Sequence, residues 1–290
     1  MYAWLLLPAV ATTPAIVFAS RAAVRRKHDV VSLMLFAHSL SAVVMALAVL
    51  AAGNAPEIRL MVRPTLGWVP LACGLASVTG SCLNFTAFRQ CATGPVTTIT
   101  SMSIMIPILC AFLFWGDCPG RYQWLGIVLA AAGVLAMNIG KSEKPAAEKH
   151  HWLALALASM ACFGLSQTLQ KFITVIAPLP GGGPRFMFMA LTYAASASGM
   201  AIYLRVIGRP LDRAVWPYSL AVALGSMAQF VCMMPLLEHV PVFIVYLTFT
   251  GVGLALVILI STLFLGERYK RMVWAGCAVC VAGVLLMRLK

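Results

Sequence analysis

Shifted by 150 positions, the chain lies over itself. The stretch LFWGDCPGRYQWLGIVLAAAGVLAM (113–137) aligns without a gap with LFLGERYKRMVWAGCAVCVAGVLLM (263–287), and 11 of the 25 positions are identical. Apolar composition alone would not superimpose Trp124 on Trp274, Arg121 on Arg271, and Gly116, Gly126 and Gly133 on Gly266, Gly276 and Gly283. The chain is therefore a duplicated unit. Each copy holds five apolar runs of spanning length: 2–19, 31–52, 66–88, 94–115 and 121–139, then 152–172, 185–207, 215–237, 240–265 and 272–289. Five is odd, so the second copy enters the membrane in the opposite sense to the first. The expected fold is an all-α polytopic membrane protein, ten transmembrane helices arranged as two inverted five-helix repeats.

Composition agrees with ten spans and little else. Of 290 residues, 62% are hydrophobic and 10% charged, against roughly 45–50% and ~25% in a soluble domain. All seven tryptophans fall within a few residues of a span end, at the depth of the lipid headgroups. The repeats are bounded as 1–140 and 152–290, with 141–151 as linker. Gly181 to Gly183 are read as a hinge between spans six and seven. The net charge of +13 comes from short basic patches between spans that meet anionic lipid, not nucleic acid. Cys277 and Cys280 have a Cys-x-x-Cys spacing but lie mid-span without a second pair, so they are read as small apolar residues. No nucleophile and base at recognisable spacing, phosphate loop or metal cluster is present, and an enzyme, a cofactor and a metal are not expected.

An apolar helix ending in Leu-Phe-x-Gly-Glu/Asp, a short turn and a helix with Gly-x6-Gly-Val, found in both halves, resembles the drug/metabolite transporter superfamily, in particular its ten-helix EamA-type members. Arg185-Phe186 is similar to the family's arginine opening the second span of a repeat. This chain departs by lacking an aromatic-Gly pair in span one, by carrying His38 in place of an arginine in span two, and by having Asp117 where Glu is commoner. The resemblance implies a central pocket lined by spans one, three, four, six, eight and nine.

Polar residues inside spans are costly unless they face a cavity or a partner. Phe163, Ser166, Gln167 and Gln170 share one face of span six. Asn84, Phe85 and Phe88 in span three, Thr97, Thr100 and Ser101 in span four, Gln229 and Met233 in span eight, and Tyr246 and Thr250 in span nine complete the candidate substrate-binding set. The competing reading is that the hydroxyls bond their own backbone and the amides join helices. His38, the only ionisable residue well inside a span, either titrates or packs. Lys171 and Arg89, near span ends, are expected to snorkel to the headgroups. Asp117 and Glu267, at equivalent places in the two copies, are expected to cap the helix that follows each or to act in gating.

These features predict a secondary transporter that moves small organic solutes by alternating access. The alternative is a non-transporting receptor or scaffold, or a subunit of a lipid-handling complex, which would not need two equivalent halves. Missing mid-span Arg, Lys, Asp and Glu argues against doubly charged anions and points to neutral or zwitterionic metabolites, amino-acid-like or drug-like compounds. The expected setting is the cell (plasma or inner) membrane, with solute and lipid as partners and the chain acting as a monomer. Orientation has two opposed signals. The resemblance implies cytoplasmic termini, whereas Lys plus Arg number 7 on the face carrying the termini and 14 on the other, which favours termini outside.

Overall fold

The structure, a computed structural model, describes residues 2–52, 66–90, 93–139, 151–176 and 182–289. Among them the chain is all helical, because in hydrocarbon a backbone must satisfy its own polar groups. The helices are α1 (Leu6–Arg25), α2 (Val30–Ala52), α3 (Trp68–Gln90), α4 (Thr93–Ser101 and Met105–Phe114 about a 3₁₀ turn at Met102–Ile104), and α5 (Arg121–Ile139). The second half has α6 (His151–Ile176), α7 (Gly182–Val206), α8 (Trp216–His239), α9 (Val242–Leu247 and Gly253–Leu265 about a π turn at Thr248–Val252), and α10 (Arg271–Leu286). Eight helices are long and apolar enough to cross a membrane. The other two, α5 and α10, have 19 and 16 residues. Side chains such as Leu50, Phe114, Val206 and Phe264 point outward into what must be lipid. The linker at 141–150 and Gly181 lie outside the described residues, while Gly182 and Gly183 open α7.

The close contact of α5 with α10 shows the inversion directly. A methyl at Gly126 would sit 2.6 Å from the Gly283 carbonyl oxygen, one at Gly133 2.6 Å from the Cys280 Cβ, and one at Gly276 2.9 Å from the Gly133 carbonyl oxygen. Numbers rise along one helix as they fall along the other, so α5 and α10 are antiparallel. The Gly126–Gly283 approach also becomes the Gly276–Gly133 approach when the halves are exchanged, as a two-fold axis demands. Glycine is needed here because only a bare backbone lets two helices come this near. Cys277 and Cys280 lie buried in this seam, with Cys277 Sγ 3.4 Å from Met137 Sδ.

The remaining packing obeys the same exchange. Helix α2 lies on α7, α3 on α6 as α1 on α8, α3 on α7 as α2 on α8, and α4 on α6 as α1 on α9. The ends of α4 and α9 are built alike: Gly116 and Gly266 turn left-handed (φ 70° and 65°). The following amides of Asp117 and Glu267 donate 3.2 Å back to the carbonyls of Ala111 and Ser261, closing each helix. The face holding the start of α1 and the end of α10 is called proximal below, the other distal.

Candidate functional site

The bundle holds a cavity of about 410 Å³. Thr13 and Val17 of α1, Thr97, Thr100, Ser101 and Ser103 of α4, Asn138 of α5, Phe163 and Gln167 of α6, and Phe249 and Thr250 of α9 line it, with three aliphatic residues. No lining side chain is ionisable. Both helix irregularities touch it, the 3₁₀ turn through Ser103 and the π turn through Phe249 and Thr250, as is common where π turns occur.

Its hydrogen-bonding character is mostly that of an acceptor. The Thr100 hydroxyl donates to the carbonyls of Val96 and Thr97 (3.0 and 3.3 Å), and the Ser101 hydroxyl to Thr98 (2.9 Å). Their donors are therefore spent on their own helix and their lone pairs remain. The Asn138 amide donates to Ser101 Oγ (3.1 Å) and to the Val134 carbonyl (2.9 Å). Gln167 Oε1 and Thr13 Oγ1 are buried there with no partner among the described residues. Such groups suit a solute that brings N–H or O–H donors.

Toward the proximal face this cavity is closed. Leu6, Ile108, Leu236, Leu237, Phe243 and Tyr246 form one buried cluster from α1, α4, α8 and α9, and the Tyr246 hydroxyl donates 2.9 Å to the Gln167 carbonyl. Toward the distal face further spaces border it. Val17 is shared with a space of about 600 Å³ bounded by Ser20, Arg21, Arg25, Glu267 and Tyr269. Val24 joins that space to another of about 530 Å³, between the distal ends of α1 and α3.

The profile of the EamA-like transporter family matches this chain twice, over residues 1–139 and 150–289. The chain belongs to that family. It is a multi-pass membrane transporter, and its partner is a small-molecule solute. No curated protein matches the sequence. Among solved structures, one titled "Crystal structure of protein" is 15% identical, with a TM-score of 0.79 over 98% of this chain and 95% of that one. That likeness concerns the fold.

Of the candidate residues, the EamA architecture brings six to the central cavity: Thr97, Thr100, Ser101, Phe163, Gln167 and Thr250. The others lie elsewhere. Ser166 is buried against Cys73 (Oγ to Sγ 3.3 Å), and Gln170 Nε2 reaches the same sulfur at 3.9 Å, so both serve the α3–α6 contact. Asn84 holds a buried, unpartnered Oδ1 on α3. Met233 and Tyr246 belong to the proximal cluster, and Gln229 is half-buried on α8. Phe85 and Phe88 line the distal space beside α1. His38 Nδ1 lies 2.9 Å from the Ser196 hydroxyl and its ring rests on Tyr193, between α2 and α7 and away from the cavity. Sequence reasoning passed over Ser103, Phe249 and Asn138. The pocket implied by the resemblance left span five out, yet Asn138 at its distal end reaches the cavity. Its amide, near the end of an otherwise apolar run, was the available signal.

Three charged residues differ from expectation. Asp117 caps a helix of the other repeat: its carboxylate accepts 3.0 Å from the Val242 amide at the start of α9. Glu267 caps no helix among the described residues and pairs with Arg21 (3.3 Å) and Arg25 (3.1 Å) of α1. The Tyr269 hydroxyl donates to it at 2.5 Å, and this bond, with the two guanidiniums, holds its carboxyl below the usual range. Lys171 does not snorkel. It is buried, and its ammonium donates 2.5 Å to the Leu237 carbonyl at the end of α8. Arg185 is bidentate to Glu238 on the same face (3.1 and 2.5 Å).

Proposed function

We propose that this chain moves neutral or zwitterionic organic metabolites, amino-acid-like or drug-like in size, across the cell membrane by alternating access. The observation that carries the reading is the central cavity, lined by hydroxyls, amides and rings yet free of ionisable side chains, packed shut toward one face and bordered by further open space toward the other. Its acceptors suit an ammonium, amide or hydroxyl, and Phe163 and Phe249 offer apolar faces to the rest of a solute. A full negative charge would find no fixed positive partner there.

Alternation follows from unequal use of equivalent residues. The 150-residue offset pairs Arg21 with Lys171, Ala87 with Leu237, and Glu267 with Asp117. On the closed proximal face Lys171 ties α6 to α8. On the open distal face Arg21 leaves α3 alone and holds Glu267. In the opposite state the roles exchange: Arg21 donates to the Ala87 carbonyl and closes α1 on α3, while Lys171 leaves Leu237 for Asp117. Two packings of similar content are what an inverted repeat needs to have two accessible states.

The test begins with thermal unfolding of purified protein against a panel of neutral, zwitterionic and charged metabolites, since a ligand of the folded state raises its stability. Hits are then assayed for counterflow in proteoliposomes. Neutral or zwitterionic hits that exchange across the bilayer support the reading. Stabilisation only by dianions, or binding with no counterflow, overturns it.

A further inference from the structure

The distal space between α1 and α3 differs chemically from the central cavity. Lys27, Arg89 and Arg209 line it together with Phe85, Phe88, Val24 and Val31, in about 530 Å³. Arg209 is held by Asp29 at 3.2 Å, and the second carboxylate nearby, Asp212, is taken by His28 at 2.9 Å. Lys27 and Arg89, in contrast, make no side-chain hydrogen bond or ion pair among the described residues. Lys27 is also the only non-glycine described residue with a left-handed backbone (φ 63°), which sets it on the tight turn between α1 and α2. Two uncommitted cations thus flank two phenyl rings, while the two carboxylates at this end, Asp29 in the lining and Asp212 beside it, are engaged by Arg209 and His28.

Such a pairing of fixed positive charge and apolar wall recognises an anionic group attached to an apolar body. Two sources offer that chemistry, a lipid headgroup or a soluble carboxylate. The space borders, at Val24, the one that in turn borders the central cavity at Val17, so the three succeed one another along α1 toward the distal face. We infer that the distal vestibule holds an outer subsite in which Lys27 and Arg89 take a solute's carboxylate while Phe85 and Phe88 take its ring or alkyl body. This rests on the transport reading and narrows it. The preferred solutes are the zwitterions among those proposed, with a carboxylate and an ammonium on an apolar or aromatic frame: the carboxylate is gathered at the mouth by charge, and the ammonium and ring are read inside. Electrostatic gathering of this kind weakens with salt.

The experiment uses the full-length protein in phosphatidylcholine nanodiscs, with equilibrium binding of radiolabelled phenylacetate and of its neutral isostere phenylacetamide. Wild type is expected to bind the carboxylate about tenfold more tightly, the scale of one charge-assisted contact, with the advantage shrinking as salt rises. The Lys27→Gln/Arg89→Gln variant, checked for an unchanged melting temperature, should reduce that advantage below about twofold. Arg268→Gln, an exposed distal charge outside the space, should keep it. Equal binding of the two probes by wild type, or an undiminished preference in the double variant, overturns the subsite. So does stoichiometric retention of phosphatidylglycerol that blocks phenylacetate, which would assign the space to lipid. A carboxylate preference that persists while counterflow fails would sink the transport reading and leave the subsite standing.

Discussion

Lys171 and Arg21 stand 150 positions apart at equivalent points of two inverted repeats, and they do different things. Lys171 crosses to the Leu237 carbonyl on the closed face, and Arg21 pairs with Glu267 on the open one. The asymmetry of a single conformation is written in these two cations. Replacing Lys171 by Met keeps the stem and removes the charge-assisted bond, worth about 1.5–3 kcal/mol. The account expects Lys171→Met to raise the proximal-open population about 10- to 100-fold. Alkylation of a single cysteine at Leu237 by a small impermeant reagent from the proximal face reads this out, on a background stripped of native cysteine. An unchanged alkylation rate would remove Lys171 from the closure.

Gln167 and Gln170 separate a cavity role from a packing role on one helix face. Gln167 presents an unpartnered acceptor to the cavity, whereas Gln170 leans on Cys73. Gln167→Leu should weaken solute binding about 5- to 100-fold, the range of one buried hydrogen bond, with little change in unfolding temperature. Gln170→Leu should leave binding within about twofold. Equal losses from the two would mean that the cavity wall is drawn wrongly along α6.

The seam between α5 and α10 tolerates no added atom on its glycine face. Gly133→Ala places a methyl against the Cys280 backbone and should destabilise by about 1–3 kcal/mol, the usual cost of overpacking. Cys280→Ala in the same chain should recover little, because the Cys280 Cβ, N and Cα that stand within 2.7 Å of the new methyl are all kept. Unfolding followed by tryptophan fluorescence in detergent decides it.

Glu267 makes stability depend on acid. Its carboxyl titrates below the ordinary range in the folded chain because of Tyr269, Arg21 and Arg25. Its contribution is therefore fully present above the unfolded value of about 4.3 and is lost as pH falls through the lower folded value. Glu267→Gln should cost about 1 kcal/mol at neutral pH and flatten the acid limb of the stability curve. It should leave the pH dependence of transport between pH 6 and 8, well above both values, where it was. A transport profile displaced in that window with stability unchanged would make Glu267 a coupling group.

Helix count was legible in the sequence because lipid imposes an apolar run on every span, and duplication and inversion because a self-alignment and an odd number of runs per copy need no knowledge of tertiary partners. The glycine seam was legible for the same reason, since Gly126, Gly133, Gly276 and Gly283 repeat at one spacing on one face. Site residues were harder. Ser166 and Gln170 share a face with Gln167, yet the sequence carries no sign that Cys73 of α3 would occupy part of that face. Asp117 and Glu267 look interchangeable along the chain, and only the tertiary partners, Val242 in one case and Arg21 with Arg25 in the other, tell them apart. Lys171 resembles any cation at a span end until Leu237 is placed opposite it.

The central claim is that the two faces open in turn. Spin labels at Val24 and Phe88 report the distal gap between α1 and α3, and labels at Ile176 and His239 report the proximal contact of α6 with α8. Distance distributions from pulsed electron resonance are then compared in lipid with and without a transported solute. The account predicts opposed changes, a Val24–Phe88 population moving to shorter distances as an Ile176–His239 population moves to longer ones. Both pairs staying fixed across all solutes that bind, or both lengthening together, would contradict it.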